Sequence, residues 1–228
     1  MTTAKQWKTG AEGQKFVASY SGGKDSTLAL YEAMKTGEAI GLISVLEEDG
    51  ARSRSHGMTI DLVKAQADAI GLPLYPAATS WEDYEATFIN TLKKMKELGA
   101  QALVTGDLDM PEHGCWHEKV ANIAELKLGM PLWEVDHSEV VDRFISLGFK
   151  TLITTVNLKF GMLESDLGKV LTYDYVQELK ERGIDPCGES GEFHTTVIDG
   201  PIFKHPIDIQ QGDIIRDGDY AFLPLILK

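Results

Sequence analysis

Residues 16–34 read FVASYSGGKDSTLALYEAM, and the succession of residue types in this stretch decides the fold. Phe16-Val17-Ala18-Ser19-Tyr20 is a short apolar run of strand composition, and Leu28, Leu30, Tyr31 and Met34 recur at helical spacing. Between them lies Ser21-Gly22-Gly23-Lys24-Asp25-Ser26. A strand, a glycine turn with Ser/Asp capping chemistry and an amphipathic helix together make an anion site, because unpaired amides at the helix start point at whatever sits there. Gly22 and Gly23 can take backbone angles that a Cβ forbids, so successive amides can converge on one phosphate. Ser21 and Ser26 add hydroxyl donors, and Lys24 adds a point charge on a flexible stem. The string Gly-x4-Gly-Lys-Ser/Thr of the commoner phosphate loop does not occur. Neither does Gly-x-Gly-x-x-Gly at this turn, where only two adjacent glycines stand.

Working outward, helix-like and strand-like segments alternate through the first two thirds of the 228 residues. Ala39 to Leu46 is a near-continuous apolar run suited to a buried parallel strand. Thr59 to Ile70 has apolar residues at Ile60, Val63, Ala67 and Ile70, and Tyr84 to Leu98 is a second amphipathic helix. Pro73 to Pro76 is a short strand, and Gln101 to Val104 is the strand that runs into Thr105-Gly106-Asp107. A helix is expected over Cys115 to Leu126, and Pro131-Leu132-Trp133 is expected at the sheet edge. Such βα alternation predicts an α/β fold with a doubly wound parallel sheet and ligands at the carboxyl ends of its strands. If the strands before Ser21 and before Gly106 are neighbours at the reversal of the strand order, both turns face one crevice.

From about Val140 the texture changes to mixed α+β. Phe149 to Val156 is strand-forming, Tyr173 to Arg182 is helical, and β runs are expected over Thr195 to Ile198, Ile202 to Ile209 and Tyr220 to Leu227. The domain expectation is therefore an α/β domain carrying the loop over 1–139, with a polar arm over 1–14, and a smaller C-terminal α+β lobe over 140–228.

Hydrophobic content of 43% with 25% charged residues is ordinary for a globular chain able to bury a core. No long uncharged apolar run and no apolar signal core are present, so a cytoplasmic protein is expected. The formal net charge of −13 disfavours a broad nucleic-acid surface. It also opposes any anionic ligand, so local cations around the loop matter more than the total. Two cysteines, Cys115 and Cys187, do not make a disulfide framework.

Several constellations are candidates for chemistry. Asp25 and Asp107 are carboxylates suited to a hard cation shared with phosphates; the alternatives are a helix cap and an ordinary βα-turn aspartate. Arg52-Ser53-Arg54-Ser55-His56 is either a phosphate-gripping segment or a solvated basic loop, with His56 its sharper candidate. His113-Gly114-Cys115-Trp116-His117 has metal-friendly types, but the spacing matches no usual zinc set, and zinc is disfavoured. In Cys187-Gly188-Glu189-Ser190-Gly191-Glu192-Phe193-His194-Thr195, a glycine turn can present Glu189 and Glu192 together, suited to a cationic group or to base work on an attacking amine. An exposed acidic turn is the alternative.

Ser21 to Ser26 resembles the pyrophosphate loop of the N-type ATP pyrophosphatases, at all six positions and in its strand-loop-helix setting. Residues 187–195 resemble the Gly-Glu-Gly-Gly-Glu-aromatic-Glu-Thr motif of the diphthine–ammonia ligase family, a branch of the same enzymes. Leu147-Gly148-Phe149-Lys150, Leu167-Gly168-Lys169 and Asp199-Gly200-Pro201-Ile202-Phe203 look like that family's second lobe, so the likeness spans Lys15 to Pro206. The resemblance implies a Rossmann-like, adenine nucleotide alpha-hydrolase-like fold. It also implies ATP-dependent amidation of a protein-bound carboxylate by ammonia, through an adenylate, with AMP and pyrophosphate released. Together with the residue readings above, it leads to ATP on Ser21, Gly22, Gly23, Lys24, Asp25, Ser26, His56, Gly106 and Asp107, Mg²⁺ on Asp25 and Asp107, and catalysis on Lys24, Asp25, Glu189 and Glu192. If the acceptor is diphthine, the partner is elongation factor 2; a homodimer is compatible with this reading. Ser190 stands where the family has glycine, His194 where it commonly has glutamate, and Gly114-Cys115 where charged residues are expected. These departures bear on the acceptor more than on the loop. No glutaminase module is expected, since position 2 is Thr2, and free ammonia or a separate partner is the simplest nitrogen source. Two alternatives remain: a tRNA-modifying enzyme on the same loop, disfavoured by the charge, and a non-catalytic ATP-binding regulator.

Overall fold

The computed structural model describes residues 7–54 and 57–228, so His56 lies outside the described residues. By contact density the chain separates into two compact units, Met1–Ser21 with Asp25–Ile60 and Gly71–Val135, and Gly22–Lys24 with Asp61–Ile70 and Asp136–Lys228.

In the first unit, β1 (Lys15–Ser19), β2 (Glu38–Leu46), β3 (Leu74–Ala78), β4 (Ala102–Val104) and β5 (Lys127–Gly129) form one sheet in the order β3-β2-β1-β4-β5. Every pairing in it is parallel. The crossovers carry α1 (Lys24–Met34), α2 (Ile60–Ile70), α3 (Tyr84–Glu97) and α4 (Pro111–Ile123), of which α2 counts with the second unit from Asp61 onward. The order reverses between β1 and β4, whose registers pair Phe16 with Ala102 and Ala18 with Val104. The strands that precede Ser21 and Gly106 are thus neighbours at the reversal of the strand order, which meets the condition set by the α/β reading. The near-continuous apolar strands are explained by burial: Val17, Ile43 and Leu103 pack with Phe88, Leu92 and Met95 of α3 and Val120 and Ala121 of α4.

Trp7 and Trp133 meet edge to face at 5.0 Å beside α4. Gly114 stands against both rings, and a Cβ there would come within 2.7 Å of Trp7 and 2.8 Å of Trp133. The departure at Gly114 is therefore a packing solution, since a larger side chain would force the rings apart. Two expectations are corrected. The helix placed at Cys115–Leu126 runs from Pro111 to Ile123, because proline's fixed φ suits the first helical turn. Pro131–Trp133 is a turn, and the edge strand is Lys127–Gly129, because Pro131 offers no amide for a ladder.

In the second unit, β6 (Lys150–Asn157), β7 (Phe193–Asp199), β9 (Ile215–Asp217) and β10 (Tyr220–Phe222) form an antiparallel sheet ordered β7-β6-β10-β9. β8 (Ile209–Gln211) pairs with β11 (Leu225–Leu227). Helices α5 (His137–Ser146) and α6 (Tyr173–Glu181) belong to the same unit. The run expected over Ile202 to Ile209 is extended only at Ile209, where β8 begins; Pro201 and Pro206 interrupt any earlier ladder. Tyr220 to Leu227 breaks at Pro224 into β10 and β11, which join different sheets. The buried Asp166 carboxylate accepts from Arg182 Nη2 at 2.7 Å and Nη1 at 3.0 Å and from the Leu163 amide at 2.8 Å. Burial opposes its ionisation, yet these donors hold its pKa down at about 2. Among the described residues, no helix is long and apolar enough to cross a membrane.

Candidate functional site

The loop Ser21–Ser26 contributes residues to both units, and each set is described in turn.

In the first unit, Ser21 and Ser26 place their hydroxyls 3.0 Å apart at the end of β1 and the start of α1. Asp25 lies in the first turn of α1, where the helix N-terminus favours a carboxylate. Below it Thr27 donates to the Tyr20 hydroxyl at 3.3 Å, and burial pushes the Tyr20 phenol up. The turn after β4 packs directly on this start. A Cβ on Gly106 would lie 2.7 Å from the Asp25 carbonyl carbon and the Ser26 amide nitrogen. Only glycine allows the two backbones to approach so closely.

Asp107, next in chain, is gripped by two imidazoles from α4, with the Thr105 hydroxyl as a weaker third partner. His113 Nδ1 lies 3.1 Å from Oδ1 and His117 Nε2 lies 2.9 Å from Oδ2. Burial by itself would raise the Asp107 pKa, but the hydrogen bonds from both histidines and the charge of His117 outweigh it and hold the carboxyl well below the usual range. The pattern His-x-x-x-His brings both rings to one helix face, which is how two such residues reach a single carboxylate. They are not brought into a three-ligand metal cluster with Asp107. His117 Nδ1 is buried without a hydrogen-bond partner. Its ring packs on Trp116 at 5.0 Å, and Trp116 packs on Phe88 at 5.3 Å and on Tyr84 at 5.6 Å. The basic stretch is committed locally: Arg52 Nη1 donates to the Gly57 carbonyl at 3.0 Å, while Arg54 donates to the Thr79 carbonyl and covers the ring of the exposed Trp81.

In the second unit, Gly22 takes φ of +81°, whereas Gly23 does not enter the left-handed region, so one glycine of the pair carries the strained angle. The Gly22 carbonyl accepts from the Val197 amide at 3.0 Å and from Gln66 Nε2 at 3.0 Å. Gln66 Nε2 also donates to the Val197 carbonyl at 2.7 Å. Lys24 is only 3% exposed. Its amide donates to Thr195 Oγ1 at 3.1 Å, its ammonium donates to the Cys187 carbonyl, and it sits 5.7 Å from the Phe193 ring centre. The acidic turn is pinned through Asp185, which accepts from the Cys187 amide at 3.0 Å and the Glu189 amide at 3.1 Å. Glu189 and Glu192 are each half-buried, the Glu192 carbonyl accepts from the Asn157 amide at 2.8 Å, and Glu192 Oε2 is buried without a hydrogen-bond partner. Burial, reinforced by the Lys24 charge, pushes the His194 pKa down to about 4, so this imidazole is neutral at pH 7.

Sequence reasoning passed over Gln66 and Thr195 and discounted His113 and His117. Gln66 did leave a signal, a polar residue among the inward positions Leu62, Val63, Ala67 and Ile70 of α2. Thr195 left none, because its partner Lys24 is 171 positions away.

The fold defines a doubly wound α/β protein with a glycine turn between β1 and α1 at the strand reversal point. Its N-terminal part, residues 14–128, matches the diphthamide synthase N-terminal domain, and residues 136–226 match the diphthamide synthase C-terminal domain. The chain belongs to the diphthamide synthase family. It is 28% identical over 240 residues to a Danio rerio protein named diphthine–ammonia ligase, covering 92% of each chain. A Homo sapiens protein of that name is 25% identical, with 92% of this chain and 88% of the relative covered. A Schizosaccharomyces pombe protein of that name is 26% identical, and the chain spans 38% of its length. A solved chain described as a predicted subunit of tRNA methyltransferase from Methanocaldococcus jannaschii aligns over 82% of this chain and 97% of its own, at 16% identity and a TM-score of 0.45.

Proposed function

We propose that this protein is an ATP-dependent amide ligase of the diphthine–ammonia ligase type, with an ATP-binding domain over 1–139 and an acceptor lobe over 140–228. The observation that carries the reading is a family-matched loop of amides, hydroxyls and one lysine, set where β1 and β4 part. Ser21, Gly22, Gly23, Lys24, Asp25 and Ser26 hold the β- and γ-phosphates of ATP, and Gly106 keeps the adjoining turn in contact with the start of α1. Lys24 stabilises the charge on departing pyrophosphate. The acceptor carboxylate attacks the α-phosphorus, the pyrophosphate oxygen leaves, and the resulting acyl adenylate is opened by ammonia with release of AMP. Glu189 and Glu192 receive the ammonium and take its proton. His194, neutral beside Lys24, adds no second positive charge there.

Mg²⁺ fits the donor set. Asp25 and Asp107 supply hard oxygens, and the two oxygens of Asp107, with about four lone-pair sites between them, keep capacity for an ion beside the hydrogen bonds from His113 and His117. His113 and His117 orient that carboxylate. When bound, the ion neutralises phosphate charge.

The test is a product assay with Mg-ATP, ammonium and diphthine-bearing acceptor. AMP and pyrophosphate in equal amounts are expected, and ADP as product refutes the reading. Lys24→Ala and Asp25→Asn should each lower kcat on the order of 10²-fold or more with the circular dichroism spectrum unchanged. Glu192→Gln should leave ATP binding intact and stop amide formation.

A further inference from the structure

Three side chains of the second unit that this mechanism leaves unused lie together: His137, the first residue of α5, and Asp185 and Cys187, which flank Pro186 in the turn after α6. One imidazole nitrogen, one carboxylate oxygen and the thiol sulfur all lie within 4.8 Å of one another, and among the described residues no other three such side chains do. His137 Nδ1 is 2.9 Å from Asp185 Oδ2, and the Cys187 thiol donates to the His137 carbonyl at 3.2 Å. We propose that His137, Asp185 and Cys187 bind a single divalent transition-metal ion of the zinc type.

The chemistry and the spacing both favour it. Donors held about 2.0–2.3 Å from a tetrahedral ion stand about 3.3–3.8 Å from each other, so rotation of three side chains by about an ångström closes the site. Sulfur and imidazole nitrogen select zinc-like ions over Mg²⁺ or Ca²⁺. Thiolate and carboxylate balance a divalent charge, which removes the cost of burying either anion alone; Cys187 is only 2% exposed. On binding, the thiol proton leaves to solvent and a sulfur–metal bond replaces the S–H bond. His137 and Asp185 remain partly exposed, at 26% and 19% of their side chains, which provides the entry path and room for a water ligand. The consequence falls on the loop. Asp185 and Cys187 form the turn whose Cys187 carbonyl accepts from Lys24, so the ion would lock the lysine's acceptor in place.

The experiment needs neither ATP nor acceptor. Tag-free protein is analysed for metal by mass spectrometry, then stripped and titrated with Co²⁺. A single zinc per chain as purified is expected. Co²⁺ should add a thiolate-to-metal absorption in the near ultraviolet, in the wild-type chain and in Cys115→Ser. Cys187→Ser and His137→Ala should lose the band and bind Zn²⁺ at least about 10-fold more weakly in a chelator competition. Wild-type protein that gives no thiolate band with Co²⁺ overturns the proposal, and so does a band that depends on Cys115 rather than Cys187.

Discussion

Acidification should destabilise this protein through one imidazole. His194 stands at the start of β7 with its pKa lowered from 6.5 to about 4, first by burial and then by the Lys24 charge. The folded state therefore binds a proton less readily than the unfolded state, and stability is lost as pH falls through 6.5 towards 4. Between pH 7.5 and pH 5 the unfolded chain takes up almost a full proton at this site while the folded chain takes up about a tenth of one, a loss of about 2 kcal/mol. The full shift of about 2.5 units corresponds to about 3 kcal/mol below pH 4. Other groups titrate too, so the measurement is a difference: urea unfolding of the wild-type chain and of His194→Asn, at both pH values. The variant should lose about 2 kcal/mol less. Nuclear magnetic resonance of the imidazole Cε1 proton gives the pKa directly. In Lys24→Met it should rise, yet stay below 6.5, because burial is the larger cause. An imidazole titrating near 6.5 in the wild-type chain, or equal pH slopes in both proteins, refutes the reasoning.

Gly106→Ala drives a Cβ to 2.7 Å from the backbone of Asp25 and Ser26. A cost of about 1–3 kcal/mol is expected, seen as a fall in Tm of about 2–10 °C, and an unchanged Tm would show that the turn yields freely. Arg182→Ala leaves the Asp166 carboxylate buried with Lys169 as its remaining cation. Unfolding free energy should drop by about 3–5 kcal/mol at pH 7. Because the Asp166 pKa lies at about 2, below the usual 3.8, the wild-type advantage is present above 3.8 and fades as pH falls through 2, and a difference that persists there counts against the ion pair. Gln66→Leu removes two buried hydrogen bonds, to Gly22 and Val197, and should lower stability by about 2 kcal/mol in urea titration. A neutral outcome would mean that the amide is dispensable to the loop backbone.

The sequence by itself determined β1 to β4 of the first unit and their order in the chain, but not the edge strand β5. Val17, Ala18 and the apolar run Ala39–Leu46 had no polar face to offer solvent, which requires a strand covered on both sides, and Gly22-Gly23 between strand and helix located the turn from β1 into α1. Those are short-range signals, set by side-chain period and by the angles a Cβ permits. Where two apolar runs met a proline the boundaries moved, as at Pro131 and Pro224, because the missing amide decides only once a neighbouring strand asks for it. Tertiary structure alone decided which partners the loop took. Lys24 finds Thr195 and the Cys187 carbonyl, Gln66 finds Gly22 and Val197, and His113 and His117 find Asp107. Apart from His113, which stays exposed, these groups make hydrogen bonds because burial deprives them of water. Which groups lose their water depends on how distant segments pack, and residue spacing carries no record of it.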